Sequence, residues 1–294
     1  MKNFKINILF VFLCTVFIIS SCDKIEAPYF QESDVVDTTE CPIPDFPAVI
    51  NPQRIVLLEE FTGHKCPNCP AGAAIAHTLM NNNPDKLIVA AIHAGYFATA
   101  DVSGHFTSNF VVPEGEEIAN NFNVVVNPIA LINRKTYNSS LLINTGDWGA
   151  AVAAIINEPP QMYLQTISLH RSEDNSYCLH TKINFLEDMQ GNFNLCVYIV
   201  EDSIVSPQKT NDVTNYPSGY IENYVHNHVL RKVLGGTWGK PISDGQVSGG
   251  TSIIQSFKLI PSTGWNLNKC KVVSFIYNTE TDEIIQASET HLTN

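Results

Sequence analysis

The chain has 294 residues, 44% of them hydrophobic and 16% charged, with a formal net charge of -12. That is enough apolar material for two ordinary cores. The acidic balance argues against nucleic acid as a partner and against electrostatic adhesion to anionic lipid.

Lys2 and Lys5 precede an apolar stretch from Ile6 to Ile19. Such a stretch reads as the core of an export signal and is too short to cross a bilayer as a helix. It ends in Ile19-Ser20-Ser21-Cys22, small residues ahead of a cysteine that resemble the bacterial lipobox. Residues 1–21 are thus expected to be a lipoprotein signal peptide, with Cys22 the lipidation site, carrying acyl chains such as palmitate, and the first residue of the mature chain. The alternative is an ordinary cleaved signal with a coincidental cysteine. No later stretch reaches about 18 uninterrupted apolar residues, so the acyl chains would be the only anchor. The mature chain is expected in a compartment where disulfides persist. Residues 22–47 combine Asp23, Glu26, Glu32, Asp34, Asp37, Glu40 and Asp45 with four prolines, and read as an acidic, solvated tether. Cys41 lies inside it, and nothing local indicates a partner.

From 48 to 158 the pattern is strand, helix, strand. The apolar run from Ile55 to Phe61 leads into Cys66-Pro67-Asn68-Cys69 and then Ala71-Gly72-Ala73-Ala74-Ile75-Ala76. Two thiols three residues apart therefore fall where a strand turns into a helix. There the unpaired N–H groups and the positive end of the helix dipole favour a thiolate, the reactive species in disulfide exchange. Zinc would need a second pair at similar spacing, which the single, scattered remaining cysteines do not supply. Asn81-Asn82-Asn83-Pro84-Asp85 ends the helix before a second strand, Lys86 to His93. An irregular Gly/Ser/Thr/Phe-rich insertion at 94–112 follows, then a short helix over Glu114–Phe122. Proline is out of place in the middle of Val124 to Ile132, but fits if a cis Asn127-Pro128 bond opens the strand. The last helix of this half spans Trp148 to Asn157, closed by Pro159-Pro160.

These residues resemble a thioredoxin domain over about 110 positions, with the C-x-x-C at the helix start and a strand-opening proline some 60 residues on. The resemblance implies that Cys66 is the exposed attacking cysteine, Cys69 the buried resolving one, Pro128 the cis-proline beside them, and Glu60 the buried acid that shuttles the proton of the second thiol. The chain departs from the family in carrying Glu for the usual Asp, Thr62-Gly63-His64-Lys65 for a tryptophan-containing lead-in, and Asn127 before the proline. His64 and Lys65 are candidates to lower the Cys66 pKa by adding positive charge, with a solvated turn lysine as the alternative. In the alternating strand Glu59 and Glu60 lie on opposite faces, and either acid is a candidate for exposure.

Beyond Pro160 the period changes to two. Strands are expected at Tyr163–Leu169, Tyr177–Leu186, Phe193–Val200, Thr251–Ile260, Cys270–Tyr277 and Ile284–Ser288. Residues 161–294 read as an all-β sandwich, immunoglobulin-like. The long connection from Ser203 to Gly250 carries Tyr216, Tyr220, Tyr224, His226, His228, Arg231 and Trp238 and is a second candidate for binding. Two histidines at 226 and 228 are too few for zinc. Cys196 and Cys270 form a disulfide or remain half-buried thiols, according to whether their strands are neighbours.

Over most of the mature chain, the lipobox, the tether, the segments around Glu60 and Pro128, and Tyr224-Val225-His226-Asn227-His228-Val229-Leu230-Arg231 look like the outer-membrane-protein-28-related lipoproteins of Gram-negative bacteria. The resemblance implies an outer-membrane lipoprotein, or an inner-membrane one if Asp23 acts as a retention signal, facing the periplasm or the surface. It supplies no activity. Two functions follow. One is a tethered thiol-disulfide oxidoreductase working through Cys66 and Cys69 on envelope or surface proteins. The other is a surface binding or adhesion protein in which Cys66-Cys69 is a structural link and the β domain binds an extracellular protein or glycan. Neither needs a cofactor or metal beyond the disulfide and the lipid on Cys22.

Overall fold

In the computed structural model, residues 41–292 are described; the expected signal peptide, the expected lipidation site Cys22 and residues 22–40 of the expected tether lie outside them. β1 (Val56–Thr62) and β2 (Leu87–His93) are buried along their whole length, as near-continuous apolar strands are when both faces of a sheet are covered. They run parallel, from Val56 opposite Leu87 to Thr62 opposite His93, and are joined by α1 (Cys69–Asn82). α2 (Pro113–Asn121) starts on proline and carries Glu114 and Glu116 in its first turn, where the helix dipole favours acids. The Asn127-Pro128 bond is cis. It opens β3 (Ile129–Ile132), which pairs antiparallel with β1, Ile129 opposite Phe61. α3 (Trp148–Ile155) follows.

The remainder is strand: β4 (Met162–Arg171), β5 (Ser176–Phe185), β6 (Met189–Gln190), β7 (Phe193–Glu201), β8 (Ile204–Lys209), β9 (Tyr220–His226), β10 (Val229–Leu234), β11 (Lys240–Ser243), β12 (Gln246–Val247), β13 (Ser252–Leu259), β14 (Cys270–Asn278) and β15 (Ile284–His291). The protein is thus mostly β with a few helices, and its large sheet is mixed, in the order β15-β14-β7-β10-β2-β1-β3 with β11 also on β7. β10 lies parallel to β2, with Val229 opposite Ala91. Strands from before and after residues 158–161, where the sequence suggested a boundary between two bodies, therefore share one sheet.

Alternation along the strands explains how one sheet serves three cores. Leu195, Val197 and Ile199 of β7 pack with Leu179, Ile183 and Phe257 of the three-stranded sheet β13-β5-β4. Cys196, Tyr198 and Val200 face the other way, joining Leu57, Phe61 and α2's Ile118. Val56 and Leu58 meet α1 and α3 through Ala76, Trp148 and Val152. Both acids of β1 are consequently buried, Glu59 toward α2 and Glu60 toward α1. Arg134 donates to Glu59 from Nε at 2.7 Å and from Nη2 at 2.8 Å, and the Tyr198 hydroxyl donates to Glu59 at 3.0 Å. Phe122, Phe275 and Tyr277 rings surround the guanidinium. This buried pair ties β1 to β7 and β14.

Several expectations are corrected. The stretch from Ser203 to Gly250 is not a long connection, since it holds β8 to β12, including the central strand β10. β8 and β9 are polar and partly exposed, which hides them from a period-two search. Cys41 has a partner after all, a disulfide to Cys178 of β5. The end of the tether therefore lies on the sheet: the Gln165 side chain donates to the Pro47 carbonyl at 2.8 Å, and Lys182 sits over the Phe46 ring. Cys196 and Cys270 are buried free thiols. Their strands are neighbours, but Cys196 stands opposite Phe275 and Cys270 opposite Glu201, which puts the two sulfurs out of disulfide reach.

Candidate functional site

The C-x-x-C sits in the turn after β1. Cys66 N–H donates to Gly63 O at 2.9 Å, Cys69 N–H donates to Cys66 O at 3.3 Å, and α1 begins at Cys69, with Pro70 behind it. Only Cys69 is in the helix; Cys66 lies in the turn just ahead of it. The two sulfurs are joined, with Cα atoms 5.4 Å apart. Gly63 is required because the chain passes Phe97 closely: a Cβ there would lie 2.5 Å from the Phe97 carbonyl carbon. Lys65 N–H donates to that carbonyl's oxygen at 2.9 Å.

Glu60, Pro128 and Cys69 come together under α1. The buried face of the helix is Cys69, Gly72 and Ala76. A Cβ on Gly72 would stand 2.9 Å from Pro128 Cβ and 3.1 Å from Glu60 Oε1, so the absent side chain lets the helix settle on both. Glu60 is 3% exposed, and its Oε1 has no hydrogen-bond partner among the described residues. Burial pushes its carboxyl up to about 8, because an ion there would lose water without gaining a counter-charge. A cavity beside Cys69 is lined by Glu60, Thr62, Ala91, His93, Gln208, Tyr224 and His226. The register accounts for four of them: Glu60 is opposite Ala91 and Thr62 opposite His93, so these side chains share one face of the parallel pair.

The sequence reading missed His93 and Gln208 and gave His226 and Tyr224 no connection to the thiols. His93 has neither ring nitrogen bonded among the described residues, and burial, with His226 and His64 nearby, lowers its pKa well below the ordinary value. Burial likewise lowers His226 to about 4. Tyr224 is raised to about 12 by burial and by Glu60. His226 faces this cavity, whereas His228, in the left-handed region at φ 59°, turns to Asp202 at 3.1 Å. The two histidines therefore do not act together. Among the described residues no group of three or more His, Cys, Asp or Glu is arranged to hold a metal.

Two expectations about Cys66 are revised. It is 1% exposed, not an open nucleophile. The β8–β9 hairpin lies along its loop: Lys209 N–H donates to His64 O at 2.8 Å, Asn211 N–H to Pro67 O at 3.1 Å, and the Gln208 amide to Cys66 O at 2.9 Å. His64 is buried with its pKa lowered by desolvation, so it is neutral at pH 7 and adds no positive charge. Lys65 is held by Thr99 Oγ1 at 2.7 Å and by the Asp101 carboxylate at 2.9 Å, which offsets its field at the sulfur.

A mostly β chain with a mixed sheet and a buried C-x-x-C beside an acid narrows the class. The comparisons supply the family: the family described as outer membrane protein Omp28 matches residues 116–294, more than half of the sequence. The chain belongs to the Omp28 family, and is accordingly a protein of the cell envelope, located at the outer membrane. Among solved structures it is similar to HBP35 of Porphyromonas gingivalis, at 13% identity and TM-score 0.61, covering 82% of this chain and 76% of that one. It is also similar to a structural-genomics protein of Agrobacterium tumefaciens, at 14% identity and TM-score 0.51, covering 83% and 97%. A domain of the outer membrane lipoprotein Omp28 from Porphyromonas gingivalis matches at 14% identity and TM-score 0.30, over 46% of this chain and 91% of that one. No curated protein sequence matches.

Proposed function

We propose that the protein is a lipid-anchored thiol-disulfide oxidoreductase of the outer membrane, with a thioredoxin-like arrangement over residues 48–158 and a sandwich built on the sheet β13-β5-β4. The lipid is on Cys22, and the acidic residues after it hold the body off the membrane. Its partners are envelope or surface proteins. In the reducing direction the Cys66 thiolate attacks a substrate disulfide, a Cys66–substrate disulfide forms, and the first substrate sulfur leaves as thiolate. Glu60 as carboxylate takes the proton of the Cys69 thiol. The Cys69 sulfur then attacks Cys66, the second substrate sulfur leaves, and Cys66-Cys69 is left oxidised. The reverse sequence donates a disulfide.

The observation that carries this reading is Glu60, buried beside Cys69 and Pro128 with an oxygen that none of the described residues bonds. A structural disulfide needs no acid there, and an unpaired buried carboxyl is destabilising. With a pKa of about 8, about one in ten such carboxyls is ionised at pH 7, which suits a group that must both take and return a proton. The test is Cys69→Ala in cells. Disulfide-linked adducts on Cys66, absent from the Cys66→Ala/Cys69→Ala variant, are expected. No adducts under conditions where the wild-type pair cycles between redox states would defeat the reading.

The burial of Cys66 favours a second reading, in which the disulfide is only a link and the surface binds an extracellular protein or glycan. A surface phenotype unchanged after both thiols are replaced would support it.

A further inference from the structure

The β8–β9 hairpin rests on the Cys66 loop by contacts that are almost all polar. Lys209 and Asn211 N–H groups bond the carbonyls of His64 and Pro67. The buried Gln208 amide serves the carbonyls of Gly63 and Cys66 at 3.3 and 2.9 Å and its neighbour Lys209 O at 3.0 Å. The Asn211 side chain donates to Asn68 Oδ1. On its other side the hairpin meets the 94–112 insertion through Ser206 Oγ and Ser108 Oγ at 2.8 Å and through Tyr220 and His105 at 3.0 Å. Val205 and Val225 point outward, 61% and 46% exposed, and the hairpin's apolar packing is through ring contacts of Tyr220 with His105 and Phe106 and of His226 with Phe110.

Its base, by contrast, is fixed. Ser203 at φ 64° and His228 at φ 59° are both left-handed. Ser203 N–H donates to Asn227 Oδ1 at 3.0 Å, and His228 N–H donates to Asp202 Oδ1 at 2.7 Å. Lys271 adds an ion pair to Asp202 at 3.1 Å. The strands on either side, β7 and β10, are core strands of the large sheet. An arm pinned at one end and held at the other by exchangeable hydrogen bonds and a few ring contacts can lift as a unit.

We infer that the carbonyl edge of residues 63–67 is a docking edge for an extended polypeptide, and that this chain's own hairpin covers it as a displaceable lid over Cys66. The inference rests on the redox reading for its purpose, not for its geometry. When the hairpin lifts, the carbonyls of His64 and Pro67 lose their donors, and that of Cys66 keeps only Cys69 N–H at 3.3 Å. The uncovered carbonyls then form an edge of acceptors that successive N–H groups of an extended segment can pair with, as Lys209 and Asn211 do now and as in strand addition. A small thiol or disulfide has no such row of donors. Partners are therefore selected by offering a strand together with their disulfide.

The test is alkylation of the reduced full mature chain by iodoacetamide, followed across pH so that the plateau rate reads access and the midpoint reads the thiol pKa. The plateau rate at Cys66 is expected to be roughly tenfold or more below that of a free-thiol peptide. Gln208→Ala is expected to restore most of that loss without moving the midpoint. Asn211→Ala, at an exposed position, gives the same test if Gln208→Ala does not fold. A wild-type plateau equal to the peptide's, or variants that label no faster, would overturn the lid whatever the pair's redox behaviour. A gated Cys66 that traps no partner in Cys69→Ala would defeat the redox reading and leave the lid standing. The docking edge is read by the reduction rate of an unfolded disulfide-bearing polypeptide relative to hydroxyethyl disulfide. That ratio is expected to fall in Gln208→Ala, and an unchanged ratio would overturn the strand preference.

Discussion

Glu60→Gln removes a charge whose cost can be worked out. The folded carboxyl titrates near 8 against an ordinary 4.5, with burial the cause. Below pH 4.5 both folded and unfolded chains hold the proton on this carboxyl, and it costs no stability. As pH rises toward 8 the unfolded carboxyl ionises while the folded one keeps its proton, so stability falls by about 1.4 kcal/mol per pH unit. The loss totals about 5 kcal/mol by the time the folded group also ionises, and above that it is constant. A neutral amide of the same shape carries none of this dependence. Urea unfolding of the oxidised chain, wild type against Glu60→Gln at several values from about pH 5 to 9, isolates the effect, because the buried histidines that titrate in the same range are common to both. The advantage of the variant is expected to grow by several kcal/mol across that window and then level off. A difference between the two chains that stays flat with pH would refute the placement of a buried carboxyl without a counter-charge.

Other outcomes follow from the same packing. His226 has its folded pKa lowered to about 4, so its contribution is present above 6.5 and lost as pH falls; His226→Phe is expected to remove roughly 3 kcal/mol of acid destabilisation between about pH 6.5 and 4. Arg134→Met leaves Glu59 buried without its 2.7 Å partner and should cost about 3–5 kcal/mol in chemical denaturation, much of it recovered in Glu59→Leu/Arg134→Met. Gly72→Ala, which in an open helix would stabilise by up to about 1 kcal/mol, should instead destabilise by about 1–3 kcal/mol, because the new methyl meets Pro128 and Glu60. Cys41→Ala/Cys178→Ala opens a link across 137 positions and should lower stability by about 2–5 kcal/mol, read from the shift in unfolding midpoint.

The sequence made the strands and helices legible wherever one periodicity ruled. Expected Phe193–Val200 is β7 at Phe193–Glu201, and expected Glu114–Phe122 is α2 at Pro113–Asn121. The cis bond before Pro128 was readable because proline is costly inside a strand and the following run is apolar. What escaped was long-range. Nothing local says that Val229 lies against Ala91 or that Cys41 reaches Cys178, since strand neighbours in a mixed sheet are chosen by the whole fold. The hairpin over Cys66 escaped for another reason. Its residues pair with carbonyls of the thiol loop, and hydrogen bonding to backbone leaves no signature in side-chain pattern. Glu59 and Glu60 show the limit most sharply. Alternation separated them onto two faces, but only the covering of both faces by α1 and α2 decided that one acid would need an arginine and the other would be left alone.

The central claim is that Cys66 and Cys69 exchange electrons, and a redox titration of the full mature chain, with each cysteine pair followed by mass after alkylation, tests it most directly. A midpoint for Cys66-Cys69 in the range of about -270 to -120 mV occupied by exchange catalysts is expected, with Cys41-Cys178 still oxidised where the first pair is half reduced. A Cys66-Cys69 midpoint below about -300 mV, alongside the other bridge, would mark it as a structural link and contradict the account.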